Sequence, residues 1–219
     1  MNRVTKKWIT NESDERAVVA GCRFDERRAD HFAHICHEHF RLWEGEGAGK
    51  PFDLLDWQYQ VTARIFGWIY SSDKWGCDVR RFRKATVFAP RKNGKSPLAA
   101  AVGLYLLVFD GEQGQAVYSA ARDGTQAQIV HRHAQQMVSH SPLLSKECKI
   151  NQTTGRIVYQ KNAAHYSILA GDNIPSQEGL NGSVIIDEIH VVDDRLAIVL
   201  ADIGASRSEP LQFQISTAG

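Results

Sequence analysis

Apolar residues change their spacing along the chain, and the change divides it into a helical beginning and an alternating remainder. Residues 26–43 have the 3.6-residue period of an amphipathic helix. The side chains near its apolar face are Phe32, Ile35, His39 and Leu42. A glycine-rich stretch at residues 45–49 interrupts this pattern and predicts a linker. We therefore expect a helical amino-terminal segment over residues 1–50, followed by a second unit over residues 51–219.

The second unit alternates helix-like and strand-like patterns. Helical spacing or composition predicts helices over residues 53–70, 96–109, 123–138 and 195–200. Short apolar runs predict strands over residues 85–89, 116–120, 156–159, 165–169, 183–186 and 211–216. The third and fourth of these strands are close enough in sequence to form a hairpin or meander. Strands that alternate with helices predict an α/β fold, a three-layer sandwich with a largely parallel central sheet.

Composition and charge exclude several classes of protein. The 219 residues are 43% hydrophobic and 23% charged, as expected of a globular chain with a sizeable core. The longest apolar run, residues 97–109, is too short to span a bilayer, and the first fifteen residues lack the apolar segment of a signal peptide. The four cysteines form no CxxC pair, which favours reduced thiols in a cytoplasm. Secreted, membrane and fibrous classes are therefore excluded.

The formal net charge of +1 conceals an uneven distribution. Residues 74–95 contain eight Lys or Arg and one acid, whereas residues 162–219 contain eight acids and two Arg. The basic run Arg80, Arg81, Arg83 and Lys84 either contacts nucleic-acid phosphates or is a solvated entry to a strand. Charge alone does not decide between these two interpretations.

The strongest chemical signal is a phosphate-binding loop. Residues 89–96 read Ala-Pro-Arg-Lys-Asn-Gly-Lys-Ser, which satisfies the phosphate-loop pattern except for Ala89 in place of the first glycine. A predicted strand precedes the loop and a predicted helix follows it, so the loop amides and the helix N-terminus would converge on phosphates. Lys95 would reach the β- and γ-phosphates, and the Ser96 hydroxyl would bind Mg²⁺. The alternative is a basic turn that caps a helix.

A second signal decides between those alternatives. The apolar strand at residues 183–186 is followed by Asp187 and Glu188. Asp187 would hold Mg²⁺ through water, and Glu188 would polarise the attacking water. The several βα elements between the two motifs let the acidic strand lie beside the phosphate-loop strand in one sheet. Together the signals predict a Mg²⁺-dependent enzyme that hydrolyses a nucleoside triphosphate.

The motifs, taken in order, resemble the large terminase subunit of tailed bacteriophages, the ATPase that packages DNA. The resemblance covers residues 45–219. It is carried by AGKPFDLLDWQ, IFGW, RRFRKATVFAPRKNGKS, YSAARDGTQAQIV, GLNGSVIIDEIH and PLQFQISTAG. It implies ATP as the nucleotide, with the loop residues Pro90, Arg91, Lys92, Asn93, Gly94, Lys95 and Ser96 around its phosphates.

The resemblance also implies roles for residues outside the loop pattern. Trp57 and Gln58 resemble the family's adenine-reading motif, although an aromatic at a helix start is also a common core residue. Arg91 resembles an arginine that the family places near the γ-phosphate, where it would act in catalysis with Glu188 and Lys95. The alternative is that Arg91 simply pairs with a phosphate or an acid. Ser216 and Thr217 resemble the start of the coupling motif, which would sense the γ-phosphate and move the DNA-gripping elements.

The function implied is ATP hydrolysis that drives viral double-stranded DNA into the prohead, in the cytoplasm of the host cell. The partners implied are the portal and prohead, the small terminase subunit, and further copies of the chain in a ring. Family members continue beyond residue 219, so we expect the ATPase core to be incomplete at its carboxyl end. Nothing resembles the family's nuclease domain, and we expect no nuclease activity. A helicase-like ATPase and a nucleotide-gated binding module are the alternatives.

Two features stay open at this level. Many terminases have an arginine just before the acidic strand that acts on a neighbouring subunit, whereas this chain has residues 177–179 reading Gln-Glu-Gly. Arg207 and Arg122 are the candidates to replace that arginine. The histidine-rich segment at residues 31–39 has ligand-type side chains, but its residues belong to one predicted helix without a second ligand pair. We therefore do not predict a zinc site.

Overall fold

The structure, a computed structural model, describes residues 3–121, 124–169, 180–188 and 203–217. The helices are Arg3–Lys7 (α1), Glu12–Val19 (α2), Glu26–His39 (α3), Asp56–Gly67 (α4), Lys95–Val108 (α5), Gly124–His140 (α6) and Leu144–Glu147 (α7). The strands are Arg23–Phe24 (β1), Trp68–Ser72 (β2), Cys77–Arg80 (β3), Lys84–Ala89 (β4), Ala116–Ala120 (β5), Cys148–Ile150 (β6), Ile157–Tyr159 (β7), Ala164–Leu169 (β8), Gly182–Asp187 (β9) and Gln212–Thr217 (β10). The helix predicted over residues 195–200 lies outside the described residues.

A seven-stranded sheet forms the centre of the fold. Its strand order is β4-β10-β9-β5-β8-β7-β6. The first five strands are parallel to one another, while β7 pairs antiparallel with both β8 and β6. The predicted α/β class with a largely parallel sheet is therefore confirmed. The strands predicted over residues 156–159 and 165–169 as a hairpin or meander pair antiparallel, as β7 and β8.

One expectation about the sheet is wrong. The acidic strand β9 is not beside the phosphate-loop strand β4, because β10 lies between them and pairs parallel with both. The physical reason is the burial of β10, whose Phe213, Gln214, Ile215 and Ser216 are all buried. Buried backbone N–H and C=O groups have to be paired, and a position between two strands pairs both edges of β10. The chain's last described strand thus separates its two main motifs.

Helices cover one face of the sheet, and the amino-terminal helices pack against them. Helix α5 is buried on nearly every side, and α6 packs against it and the sheet. Helices α3 and α4 pack on each other, and Phe32, Ile35 and Phe40 belong to the same hydrophobic cluster as the α5 side chains. Within the described residues, no helix is long and apolar enough to cross a membrane.

The glycine-rich stretch predicted as a linker forms a closed loop. Arg41 and Pro51 form an isolated antiparallel bridge, and the Gly49 amide donates to the Leu42 carbonyl at 2.7 Å. The helices on the two sides of this loop share one hydrophobic core. The division into domains at residue 50 stays a prediction.

Two helices are shorter than predicted. Helix α3 ends at His39, not at residue 43, and α4 ends at Gly67, after which Trp68 begins a strand. A Cβ atom at Gly67 would lie 2.5 Å from the Phe24 ring, so only glycine allows this close approach. Strands β1, β2 and β3 form a small antiparallel sheet that the sequence pattern does not predict. The helical spacing of Trp68 and Ile69 with the preceding residues concealed the change of structure.

Candidate nucleotide-binding site

Three neighbouring strands end together at one edge of the sheet. Because the strands are parallel, their carboxyl ends bring together the predicted phosphate loop, the acidic pair and the coupling residues. In the register of the sheet, Thr217 lies opposite Ala89, and Ile215 lies opposite Asp187. Crevices outside the carboxyl ends of parallel strands are where α/β folds bind ligands.

The phosphate loop connects β4 directly to α5. Gly94 is the N-cap of α5 and has a φ of 71°, a left-handed conformation that glycine adopts without steric cost. Its carbonyl accepts the first helical hydrogen bond from the Leu98 amide at 3.2 Å. The loop residues Pro90, Arg91 and Lys92 are exposed, and the Asn93 side chain donates to the Pro90 carbonyl at 3.4 Å. The amides of this loop are thus arranged at a helix N-terminus, which favours anions.

The Lys95 ammonium group is buried at the centre of the site. It donates to the Ala89 carbonyl at 2.7 Å, to the Pro90 carbonyl at 3.2 Å and to the Thr217 hydroxyl at 3.0 Å. An ammonium group has three donors, so these three acceptors match its full capacity. Lys95 therefore links the loop strand to the end of β10.

The Glu188 carboxylate is held by the predicted coupling residues. The Thr217 hydroxyl donates to Oε1 at 2.8 Å, and the Thr217 amide and the Ser216 hydroxyl donate to Oε2 at 3.2 and 3.3 Å. Glu188 also has a φ of 54°, which is uncommon for a residue with a side chain. Strained backbone of this kind concentrates at functional sites.

Asp187 and Ser96 have the chemistry of a Mg²⁺ site. Asp187 is buried at the end of β9, where burial and the neighbouring negative charge of Glu188 raise its pKa to about 6. A carboxylate so destabilised would gain from a nearby cation. The Ser96 hydroxyl is half-buried in the first turn of α5. Carboxylate and hydroxyl oxygens are ligands that Mg²⁺ prefers, so the residues present fit the predicted ion.

Trp57 and Gln58 lie at the start of α4, and Gln58 contacts the phosphate loop. Trp57 is half-buried and packs against the main hydrophobic cluster. Gln58 is 1% exposed. Its Oε1 accepts from the Leu55 amide at 2.9 Å, and its Nε2 donates to the Gly94 carbonyl at 3.2 Å. No local pattern in the sequence predicts the contact between Gln58 and Gly94, because the two residues lie far apart in the chain. The predicted adenine contacts stay predictions.

The candidate cations outside the loop have other partners. The Arg207 guanidinium donates to the Gln113 and Gly114 carbonyls, just before β5, so it lies at the amino edge of the sheet, opposite the site. The other candidate, Arg122, lies outside the described residues. Of the basic run, Arg80 is buried against Asp110, and Arg81 pairs with the buried Asp14. Both arginines therefore form ion pairs with carboxylates of the same chain.

The histidine-rich segment lies on α3 and has several unrelated partners. His31 Nδ1 is 3.0 Å from the Tyr105 hydroxyl, His37 Nδ1 is 2.6 Å from an Asp53 oxygen, and the His39 ring stacks on Phe109. Among the residues described, no group of three or more His, Cys, Asp or Glu is placed to hold a metal ion.

The fold resembles that of a solved phage protein. The crystal structure of the HK97 bacteriophage large terminase matches with a TM-score of 0.70 and 23% identity, over 86% of this chain and 37% of that one. A large terminase from a thermophilic bacteriophage matches 62% of this chain and 34% of its own, with 12% identity and a TM-score of 0.49. The ATPase domain of the Thermus phage P74-26 large terminase matches 60% of this chain and 59% of its own, with 17% identity and a TM-score of 0.44.

The family assignment comes from the sequence itself. This chain spans little more than a third of the HK97 terminase's length, and that likeness concerns the fold. A comparison with curated proteins finds no match. The family model described as "Terminase large subunit, ATPase domain" matches residues 56–219, which is most of the chain and contains the whole site described above. The chain therefore belongs to the family of terminase large subunit ATPase domains.

Proposed function

We propose that the chain binds and hydrolyses ATP at the carboxyl edge of strands β4, β10 and β9, and that hydrolysis drives double-stranded viral DNA into a prohead. The observation that carries the proposal is the continuous set of hydrogen bonds from Lys95 through Thr217 to Glu188. It joins the phosphate-binding lysine, the coupling residue and the acid that activates water. Membership of the terminase ATPase family supports the same function.

Nucleotide binding uses the loop first. The amides of residues 90–96 and the N-terminus of α5 attract the phosphates, and Lys95 contacts the β- and γ-phosphates by exchanging protein acceptors for phosphate oxygens. Arg91, which is exposed in the loop, stabilises charge that develops on the γ-phosphate. The adenine is expected near Trp57 and Gln58, of which Gln58 contacts the loop at Gly94. Ser96 and Asp187 would hold Mg²⁺, and the ion would neutralise phosphate charge.

Hydrolysis uses the Glu188 carboxylate. Glu188 accepts a proton from the attacking water, whose oxygen bonds to the γ-phosphorus while the bond from that phosphorus to the ADP oxygen breaks. Glu188 is engaged by Ser216 and Thr217 in the present structure, so it has to change partners in order to accept this proton. When Lys95 turns to the phosphates, Thr217 loses its donor, and its hydroxyl and the Glu188 carboxylate rearrange together. Strand β10 thereby responds to the nucleotide.

Family membership supports the remaining parts of the proposal. The chain acts on double-stranded DNA together with the portal and prohead and the small terminase subunit, as a ring of identical copies in the host cytoplasm. Sequence-independent phosphate contacts suit such a motor. The chain itself cuts no DNA, and cleavage of a plasmid by the purified chain with Mg²⁺ or Mn²⁺ would contradict this part.

Steady-state ATPase activity, measured with and without DNA and proheads, tests the proposal. We expect hydrolysis that requires Mg²⁺ and is stimulated by both partners. Glu188→Gln should abolish turnover while ATP binding is retained, because an amide cannot accept the proton. Glu38→Gln, at an exposed carboxylate on α3, is the control for a change of charge. Unchanged turnover in Glu188→Gln, or no ATP binding by the parent chain, would overturn the proposal.

A further inference from the structure

The buried Gln58 side chain connects two elements of the site. Its carboxamide lies between the start of α4 and the start of α5, where it accepts from Leu55 and donates to the carbonyl of Gly94. The approach is close, because a Cβ atom at Gly94 would lie 3.1 Å from Nε2 of Gln58. The two helices are therefore fastened together at the phosphate loop by one side chain.

The Gly94 carbonyl accepts two hydrogen bonds. One comes from the Leu98 amide inside α5 and the other from Gln58, each at 3.2 Å. Two donors match the two lone pairs of a carbonyl oxygen, so the direction of this carbonyl is set from both sides. The peptide bond between Gly94 and Lys95 is trans and planar. Its N–H therefore points opposite to its C=O.

We infer that Gln58 is a positioning residue that aims the Lys95 amide at the bound phosphates by fixing the orientation of the Gly94–Lys95 peptide. The inference rests on the proposed function, because it assumes that a triphosphate occupies the loop. It assigns Gln58 a role that does not depend on the base of the nucleotide. The 1% exposure of Gln58 supports this role, because the oxygen and the nitrogen of its carboxamide each already have a partner inside the protein.

A ligand without a base separates this role from purine recognition. We would measure binding of ATP, GTP and inorganic tripolyphosphate to the full chain and to two variants. Gln58→Glu retains an acceptor for Leu55 but puts a carboxylate against the Gly94 carbonyl, and Gln58→Met removes both bonds. Tyr59→Phe is the matched control, since it removes a hydrogen bond from the next residue of α4 to Asp30 without reaching the loop.

We expect both Gln58 variants to bind all three ligands about tenfold more weakly, by similar factors, and the control to bind normally. Weaker binding of ATP alone, with tripolyphosphate unaffected, would overturn the inference and favour purine recognition. Normal binding of all ligands would also overturn it. If the unaltered chain binds none of the ligands, the proposed function itself fails, which is a different result.

A measurement on the unaltered chain covers the case in which a variant does not fold. The side-chain NH₂ resonances of Gln58 should shift when tripolyphosphate binds, because they are connected to the phosphate through one peptide group. If those resonances respond to ATP and ignore tripolyphosphate, the positioning role is wrong. Thermal unfolding of each variant shows which of the binding data can be used.

Discussion

Thr217 donates two hydrogen bonds to Glu188, from its hydroxyl at 2.8 Å and from its backbone amide at 3.2 Å. The same hydroxyl accepts from Lys95 at 3.0 Å. One oxygen atom on β10, the strand between β4 and β9, therefore connects the two motifs that define the site. We therefore expect the chemistry of the site to depend on Thr217, although this residue is far in sequence from both the phosphate loop and the acidic strand.

Thr217→Val tests that connection. Valine has nearly the same shape but no hydroxyl, so both the bond from Lys95 and the stronger bond to Glu188 are lost. Hydrogen bonds to charged groups contribute about 1.5–3 kcal/mol, so we expect turnover of ATP to fall at least tenfold. Thr217→Ser retains the hydroxyl and should keep most of the activity. Equal turnover by the Val and Ser variants would show that the hydroxyl has no part in the reaction.

Lys95→Ala removes the cation at the centre of the site. We expect hydrolysis to fall by about 10²–10³, with weaker ATP binding, because the loop then lacks its buried positive charge. Lys84→Ala is the matched control, since Lys84 is exposed at the end of β4 that is far from the loop. Equilibrium binding and steady-state rates on both variants check the expectation. A defect of similar size in the control would point to loss of general positive charge.

Asp14 should stabilise the fold in a pH-dependent way. Burial raises the pKa of this carboxyl, but hydrogen bonds from Arg64, Thr10 and Arg81 outweigh it and lower the pKa from 3.8 to about 2. Because the folded pKa is below the unfolded one, the stabilisation is fully present above about pH 4 and is lost as the pH falls toward 2. Asp14→Asn should unfold at lower urea concentration than the parent chain at pH 7.

The difference in free energy of unfolding between the parent chain and Asp14→Asn should become smaller as the pH falls from about 4 toward 2. We expect this difference to be about 3 kcal/mol at neutral pH, since the two arginines lose their anionic partner. Glu12→Gln is the control, because Glu12 makes only an exposed ion pair with Arg16 on the same helix. A difference that does not change with pH would mean that the ionised carboxylate is not the source of the stability.

Arg80 distinguishes a structural cation from a DNA contact. Its guanidinium is 2% exposed and forms two hydrogen bonds with Asp110, at 3.0 and 3.1 Å. Arg80→Met should lower the free energy of unfolding by about 3–5 kcal/mol, because it leaves a buried carboxylate without its partner. Lys84→Met, at an exposed position of the same run, should change the free energy of unfolding little. Weaker DNA binding by Arg80→Met with unchanged stability would contradict the structural role.

Local features of the site were predictable from the sequence because they depend on residues close together in the chain. The loop at residues 89–96, the strand that precedes it and the helix that follows it form one strand–turn–helix unit. Gly94 supplies the left-handed turn within that unit, and the apolar run before Asp187 indicates a buried strand by composition alone. The alternation of such units predicts a parallel sheet.

Only the tertiary structure decided which of these units are neighbours. The sequence suggested that the acidic strand lies beside the loop strand, but β10 lies between them and brings Thr217 into contact with both motifs. The Gln58 contact with Gly94 and the internal pairing of Arg80 were concealed for the same reason. Period and spacing record which face of an element is buried, whereas the partner on that face is chosen by packing across the whole core.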